Sequence, residues 1–261
     1  MDNIVKYSQL GKGTPVVLIH GFPLDRRMWK PQGEVLAAAG FQVICPDLPG
    51  FGESPLPAES LSMGDYADAV IALLDQLGIE KAIVGGMSMG GYVLLDLAYR
   101  YGNRLTGALF IVTRAEADDA EAKNRRTQLA EAVKKGNRLI VPDTFAKILF
   151  APEVPQNQPN LVNTVGQMMA STSPAGLIAG LLAMRDREDF VARLPQLHMP
   201  SLVIGAAQDQ AVPPEHAEIL AQGLFEADLK IIPGAGHMVN MEDPLIFNQA
   251  VLEFLLRFRK D

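Results

Sequence analysis

Short apolar runs recur along this chain, at residues 16–19, 42–45, 82–84, 108–112, 201–207 and 229–232. They are too brief for buried helices and read as strands covered on both faces. Between them lie segments of helical periodicity, at about residues 31–39, 63–77, 88–101, 215–222 and 244–258. Strand and helix alternating in this way predict an α/β fold: a mostly parallel, doubly wound sheet of seven or eight strands with helices on both faces. Ahead of residue 16 there is room for a short hairpin through Gly11-Lys12-Gly13. Between residues 112 and 201 the alternation stops. Helical segments follow one another there, at about residues 115–135, 161–169 and 174–184, with no strand among them. This predicts a helical cap of residues 114–195 inserted after the sixth strand, with residues 1–113 and 196–261 forming one core domain. A cap in that position stands over the carboxyl ends of the strands, where ligands of α/β folds bind. Its residues Met168, Leu177 and Leu181 are candidates to line a substrate pocket, although packing against the core competes for each of them.

The chemistry enters at Gly86-Met87-Ser88-Met89-Gly90, between an apolar run and a helical segment. A serine on such a strand-turn-helix junction is held in a strained backbone conformation with its hydroxyl exposed. Glycines two positions either side remove side chains that would collide there. The helix that begins at the turn aims unpaired N–H groups at any anion forming above the serine. G-x-S-x-G alone recurs by chance, so the order of its partners matters. Asp209 follows one strand and His237 a later one, in the glycine-rich loop Pro233-Gly234-Ala235-Gly236-His237. Nucleophile, acid and base thus occur in the order that a serine hydrolase on this scaffold requires. Asp209 competes with a reading as a helix-capping acid. Glu116, Asp118 and Asp119 are rival acids after the preceding strand, in what reads as solvated surface. The turn His20-Gly21-Phe22-Pro23 ends another strand. The backbone N–H groups of Phe22 and Met89 are the expected oxyanion donors. His20 reads as shaping that turn, and His198 and His216 as structural or surface residues. No spacing among the four histidines and nearby acids makes a metal site, and no cofactor motif occurs.

With these elements in order, the chain resembles the α/β-hydrolase family over essentially its whole length. Asp47-Leu-Pro-Gly-Phe-Gly-Glu-Ser54 is similar to a loop of its small esterases and carbon–carbon bond hydrolases. Arg27-Met-Trp-Lys-Pro-Gln32 resembles a segment of enol-lactonase-like members, with Trp29 read as packing. The resemblance implies a serine hydrolase with Ser88, Asp209 and His237 as its triad, acting on a small carboxylic ester or lactone. Carbon–carbon hydrolases usually carry a glycine-rich turn in place of Gly21-Phe22-Pro23, and haloperoxidase-like members a tryptophan at the position of Phe22. Both alternatives are therefore less favoured. A non-enzymatic small-molecule-binding protein of the same fold would not need the whole triad.

Composition narrows the partners. The 261 residues are 48% hydrophobic and 20% charged, with a net charge of −7 and no Lys/Arg run longer than two, which gives no nucleic-acid footprint. The uncharged stretch of residues 154–184 contains Gln, Asn, Pro and Gly and does not read as a membrane span. Residues 1–6 show no leader pattern, which makes a cytoplasmic location the expectation. Cys45, the single cysteine, reads as a core thiol.

Overall fold

The computed structural model describes residues 5–259, so residues 1–4 of the segment read for a leader lie outside it. Among the described residues seven strands form one sheet: β1 (Tyr7–Leu10), β2 (Thr14–Ile19), β3 (Phe41–Pro46), β4 (Ala82–Met87), β5 (Leu105–Ile111), β6 (Ser201–Ala206) and β7 (Ala227–Ile232). Their order is β1-β3-β2-β4-β5-β6-β7, and every pairing is parallel except that of β1 with β3. The helices are α1 (Lys30–Ala38), α2 (Met63–Gln76), α3 (Met89–Arg100), α4 (Ala120–Lys134), α5 (Ile140–Phe145), α6 (Val154–Asn157), α7 (Pro159–Ser171), α8 (Pro174–Arg185), α9 (Glu215–Gly223), α10 (Val239–Glu242) and α11 (Pro244–Leu255).

Successive strand residues point to opposite faces, so each face of the sheet supports its own core. Val17 and Ile19 pack with Val84 and Phe110 against Tyr66 and Val70 of α2 and Val93 and Leu97 of α3. Val16 and Leu18 pack instead with Ile83 and Leu109 against Leu36 of α1 and Phe247 and Val251 of α11. This is the doubly wound arrangement that the apolar runs predict. Helix starts follow local chemistry. At α2, for example, Ser62 Oγ accepts from the Asp65 N–H (3.1 Å) while Asp65 Oδ2 accepts from the Ser62 N–H (2.7 Å).

Three expectations are corrected. No hairpin joins β1 to β2, since β1 lies antiparallel to β3 and β2 occupies β3's other side. The connection passes so close to the start of β3 that a side chain at Gly11 or Gly13 would clash with the carbonyls of Phe41 and Gly40, both glycines having positive φ. The amino-terminal end of the sheet is short, and the helical insertion consequently follows the fifth strand, not the sixth. Helix α4 begins at Ala120, five residues later than its charge pattern suggested, because Asp119 caps it by accepting from the Ala122 N–H at 2.7 Å.

The insertion packs directly on the strand ends. A Cβ at Gly176 of α8 would clash with the Gly50 carbonyl, and one at Gly180 would lie 2.9 Å from the Phe22 ring and 2.8 Å from that of Phe51. Among the described residues no helix is long and apolar enough to cross a membrane.

The base of the insertion overturns the reading of Asp118 as solvated surface. Its side chain is fully buried and takes Arg187 Nη1 at 2.7 Å, Arg114 Nη2 at 2.9 Å and Arg126 Nε. Arg187 also donates to the carbonyls of Met184 (2.9 Å) and Glu116 (2.8 Å) and stacks 4.2 Å above Tyr92 of α3. Burial opposes ionisation of Asp118, but Arg126 and Arg187 outweigh it and hold the carboxyl below its ordinary value. Its stabilising contribution is therefore present at neutral pH and is lost as pH falls through that lowered value. Asp118→Asn strands three guanidinium groups without a counter-charge and is expected to cost about 3–5 kcal/mol. Denaturant titration checks this, and the variant should also lose acid-side pH dependence. A change within experimental error would show the arginines to be satisfied by their other partners.

Candidate active site

Ser88 stands between β4 and α3 with φ 53° and ψ −115°, a conformation rare for a residue with a side chain. Several tethers hold it. Its N–H donates to the Ile111 carbonyl at 2.9 Å, and its own carbonyl accepts from the Gly91 N–H and the Thr113 hydroxyl, each at 2.8 Å. The glycines around it are demanded by backbone. A side chain at Gly86 would clash with the Gly90 carbonyl, one at Gly90 would clash with the carbonyls of Ile19 and His20, and one at Gly91 would clash with Thr113. They thus let α3 close onto β4 and β2 more than they clear space for the hydroxyl. Thr113 follows Val112, whose φ of 40° is an outlier for a β-branched residue. Neither residue carries a local motif that marks it in the sequence.

Across β4–β7 the register sets Met87, Ile111, Ile204 and Lys230 side by side, so Ser88, Asp209 and His237 all lie in loops that leave the carboxyl ends of the parallel strands. Asp209 and His237 are brought together directly, with 2.6 Å between Asp209 Oδ2 and His237 Nδ1 and both side chains buried. A carboxylate only accepts, so Nδ1 carries a proton, and in the neutral ring the lone pair is then on Nε2. Asp209 Oδ1 accepts from the N–H groups of Ala211 and Val212, each at 2.8 Å. The loop-capping role thus occupies one oxygen and leaves the other for the imidazole. Two backbone bonds tie this loop to that of His237: Ala207 N–H to Ile232 (3.0 Å) and Gln208 N–H to Ala235 (2.9 Å). No hydrogen bond joins Ser88 to His237 among the described residues. The rival acids are engaged elsewhere: Glu116 with His216 Nδ1 at 2.8 Å, Asp118 with its arginines and Asp119 at the α4 cap.

The turn that contains Phe22 adjoins the serine, since a Cβ at Gly21 would lie 3.4 Å from Ser88 Cβ. Met89 opens α3, and its N–H is one of the first-turn donors without an intrahelical acceptor. His20 shapes the turn. Its Nδ1 donates to the Gly21 carbonyl and its Nε2 accepts from the Leu48 N–H, both at 2.9 Å, which fixes a neutral tautomer. Burial correspondingly lowers its affinity for a proton below the ordinary value. Leu48 belongs to the Asp47–Ser54 loop. There the buried Asp47 carboxylate accepts from the N–H groups of Arg26 (2.8 Å) and Glu53 (2.9 Å), while the Ser54 hydroxyl donates to the Asp47 carbonyl at 2.7 Å.

Of the expected pocket residues, Leu177 and Leu181 are buried in the same cluster as Phe22, Phe51 and Met89. Met168 belongs to the cluster on the other face and lines a cavity of about 630 Å³ with Arg26, Trp29, Pro31 and Met241, a lining that includes neither Ser88 nor His237. Trp29 packs against Phe247 with ring centres 6.3 Å apart, and burial pushes the Cys45 thiol up to about 12. His198 stacks edge-on against Phe225.

A model of the alpha/beta hydrolase fold family matches residues 14–244. Among solved structures, an esterase from Thermogutta terrifontis superimposes with a TM-score of 0.95 at 38% identity, covering 98% of this chain and 94% of that one. A bromoperoxidase from Bacillus anthracis gives a TM-score of 0.87 at 28% identity, covering 97% and 95%. In sequence, 3-oxoadipate enol-lactonase 2 of Acinetobacter baylyi is 29% identical over 98% of this chain and 95% of its own.

Proposed function

Because the chain belongs to the α/β-hydrolase family, as the match over residues 14–244 shows, we propose that it is a serine hydrolase of small carboxylic esters or lactones. The observation that carries this reading is the 2.6 Å bond between Asp209 and His237 Nδ1, because it leaves Nε2 as the basic nitrogen of a buried, oriented imidazole. Ser88 Oγ attacks the substrate carbonyl and its proton passes to His237 Nε2. The negative oxygen of the tetrahedral intermediate rests on the N–H groups of Phe22 and Met89, and loss of either donor costs about 2.7–4 kcal/mol of transition-state stabilisation. His237 returns the proton to the leaving alcohol. Water, deprotonated by the same imidazole, then releases the acyl group from Ser88. Similarity to an esterase and an enol-lactonase supports the choice of ester or lactone.

In this reading α8 roofs the acyl pocket, and the contact of Gly180 with Phe22 supports that role. The test is kcat/KM for the purified protein over p-nitrophenyl esters from acetate to octanoate, with a panel of small lactones. Turnover is expected, and Leu177→Ala or Leu181→Ala should shift preference toward longer acyl chains. The shift in relative kcat/KM should be about 1–3 kcal/mol per methylene accommodated, while Met168→Ala leaves the profile unchanged. A lower melting temperature with an unaltered profile would make Leu177 and Leu181 core residues only. No turnover on any ester or lactone would defeat the functional reading.

A further inference from the structure

A second buried carboxylate, that of Glu242 at the end of α10, bonds to the loop that carries His237, and all its bonds go to backbone N–H groups. Its Oε2 accepts from Gly236 (2.9 Å) and its Oε1 from Met238 (3.0 Å), the two residues flanking His237 in the chain. Oε2 also accepts from Ala151 (3.1 Å), which lies in the helical insertion. The Met238 N–H is shared, donating also to the Leu149 carbonyl in the same stretch of the insertion, likewise at 3.0 Å. The contact is tight enough that a side chain at Gly236 would clash with the backbone of Phe150 and Ala151. Burial outweighs the opposing pull of the Gly236, Ala151 and Met238 N–H groups and of His237, and holds the Glu242 carboxyl above its ordinary value. A carboxylate that accepts from three N–H groups, with no cation paired to it among the described residues, is an arrangement for holding backbone.

We propose that Glu242 is the positioning residue of His237, fixing the peptide on both sides of the imidazole and tying that loop to residues 149–151 of the insertion. The proposal rests on the hydrolase reading for its effect on turnover, but not for its effect on the His237–Asp209 bond. Glu242 does not touch substrate in this account. It acts through His237, whose ring must reach both Asp209 and the serine. Misplacing a reacting group by about 1 Å can cost on the order of 100-fold in rate.

The experiment compares the wild-type chain with Glu242→Gln, which keeps the shape of the side chain but replaces one acceptor oxygen with a donor that opposes an N–H. Two readouts are taken: the downfield proton resonance of His237 Nδ1 shared with Asp209, and kcat and KM on p-nitrophenyl acetate. Melting curves establish that the variant is folded. The expected result is a lost or broadened resonance and a kcat lower by up to about 100-fold, with KM changed by less than about twofold. An unaltered resonance with unaltered kcat in a folded variant would overturn the proposal while leaving the hydrolase reading intact. A resonance that depends on Glu242 in a protein with no ester turnover would uphold the positioning role and defeat the hydrolase reading. Should Glu242→Gln not fold, amide hydrogen exchange of Gly236 in the wild-type protein decides, since the Met238 N–H has the Leu149 carbonyl as a second acceptor. Strong protection is expected, and exchange at the rate of an open loop would overturn the proposal.

Discussion

Ser88→Ala is expected to lower kcat on an activated ester by on the order of 10⁶-fold and to abolish labelling by a fluorophosphonate probe. The size of the effect follows from the way the parts of such a site act as a unit. On the proposed mechanism no acyl-enzyme forms without Oγ, and His237 and Asp209 have no proton to move. Residual rate then comes only from binding and the oxyanion donors. Structural damage should be small, because the hydroxyl takes part in no hydrogen bond among the described residues, while the tethers at Ser88 are all main-chain: its N–H to Ile111, and its carbonyl to Gly91, Tyr92 and Thr113. The alanine protein should therefore melt as the wild type does. Peptide mass spectrometry of the labelled wild-type protein locates the probe. A label on another serine, or one that survives the substitution, would remove Ser88 from the mechanism.

Asp209→Asn is expected to lower kcat by about 10⁴-fold with little change in KM. Asparagine offers an amide to His237 at the place where a carboxylate accepted from Nδ1, which favours the wrong imidazole tautomer and withdraws the negative charge that stabilises the imidazolium. The other oxygen can still accept from Ala211 and Val212, so the loop should keep its shape. Parallel substitutions separate this acid from its rivals. Glu116→Gln should leave kcat near wild type, because the Glu116 side chain faces His216. The loss on Asp118→Asn should appear in stability first. Near-normal kcat in Asp209→Asn, together with a large loss in Glu116→Gln, would move the acid to the end of β5.

Strands buried on both faces are legible because they need uninterrupted apolar residues, and all the runs from residue 16 onward correspond to strands of the sheet, although the last, in the outermost strand β7, leaves Leu229 and Ile231 exposed. Ser88, Asp209 and His237 are legible for a related reason: each sits where a strand meets a turn whose glycines or prolines are written locally. What could not be read is set by partners distant in sequence. The residues of β1, Tyr7-Ser-Gln-Leu10, are largely exposed, and only the passage of Gly11–Gly13 across Gly40 and Phe41 decides that they pair with β3. Asp118 looks like any acid in a charged helix until Arg187, 69 positions away, is placed beside it. Glu242 accepts from Ala151 over 91 positions, and its acceptors' partners are main-chain groups that no side-chain pattern records. Helices α5, α6 and α10 span six, four and four residues, too few for a helical period to show.

The placement of β1 bears on the order in which the protein can be assembled as it leaves a ribosome. Tyr7 pairs with Pro46, so the first strand of this sheet has no partner until the third has emerged, while β2, made in between, belongs on the third strand's far side. The β2–β3–β4 centre can form with that first strand still free, and β1 can only arrive as a closing piece at the sheet's margin. Nascent chains carry it unpaired through that interval. At four residues, three of them exposed in the finished fold, it is too short and too polar to recruit a neighbouring chain while it waits.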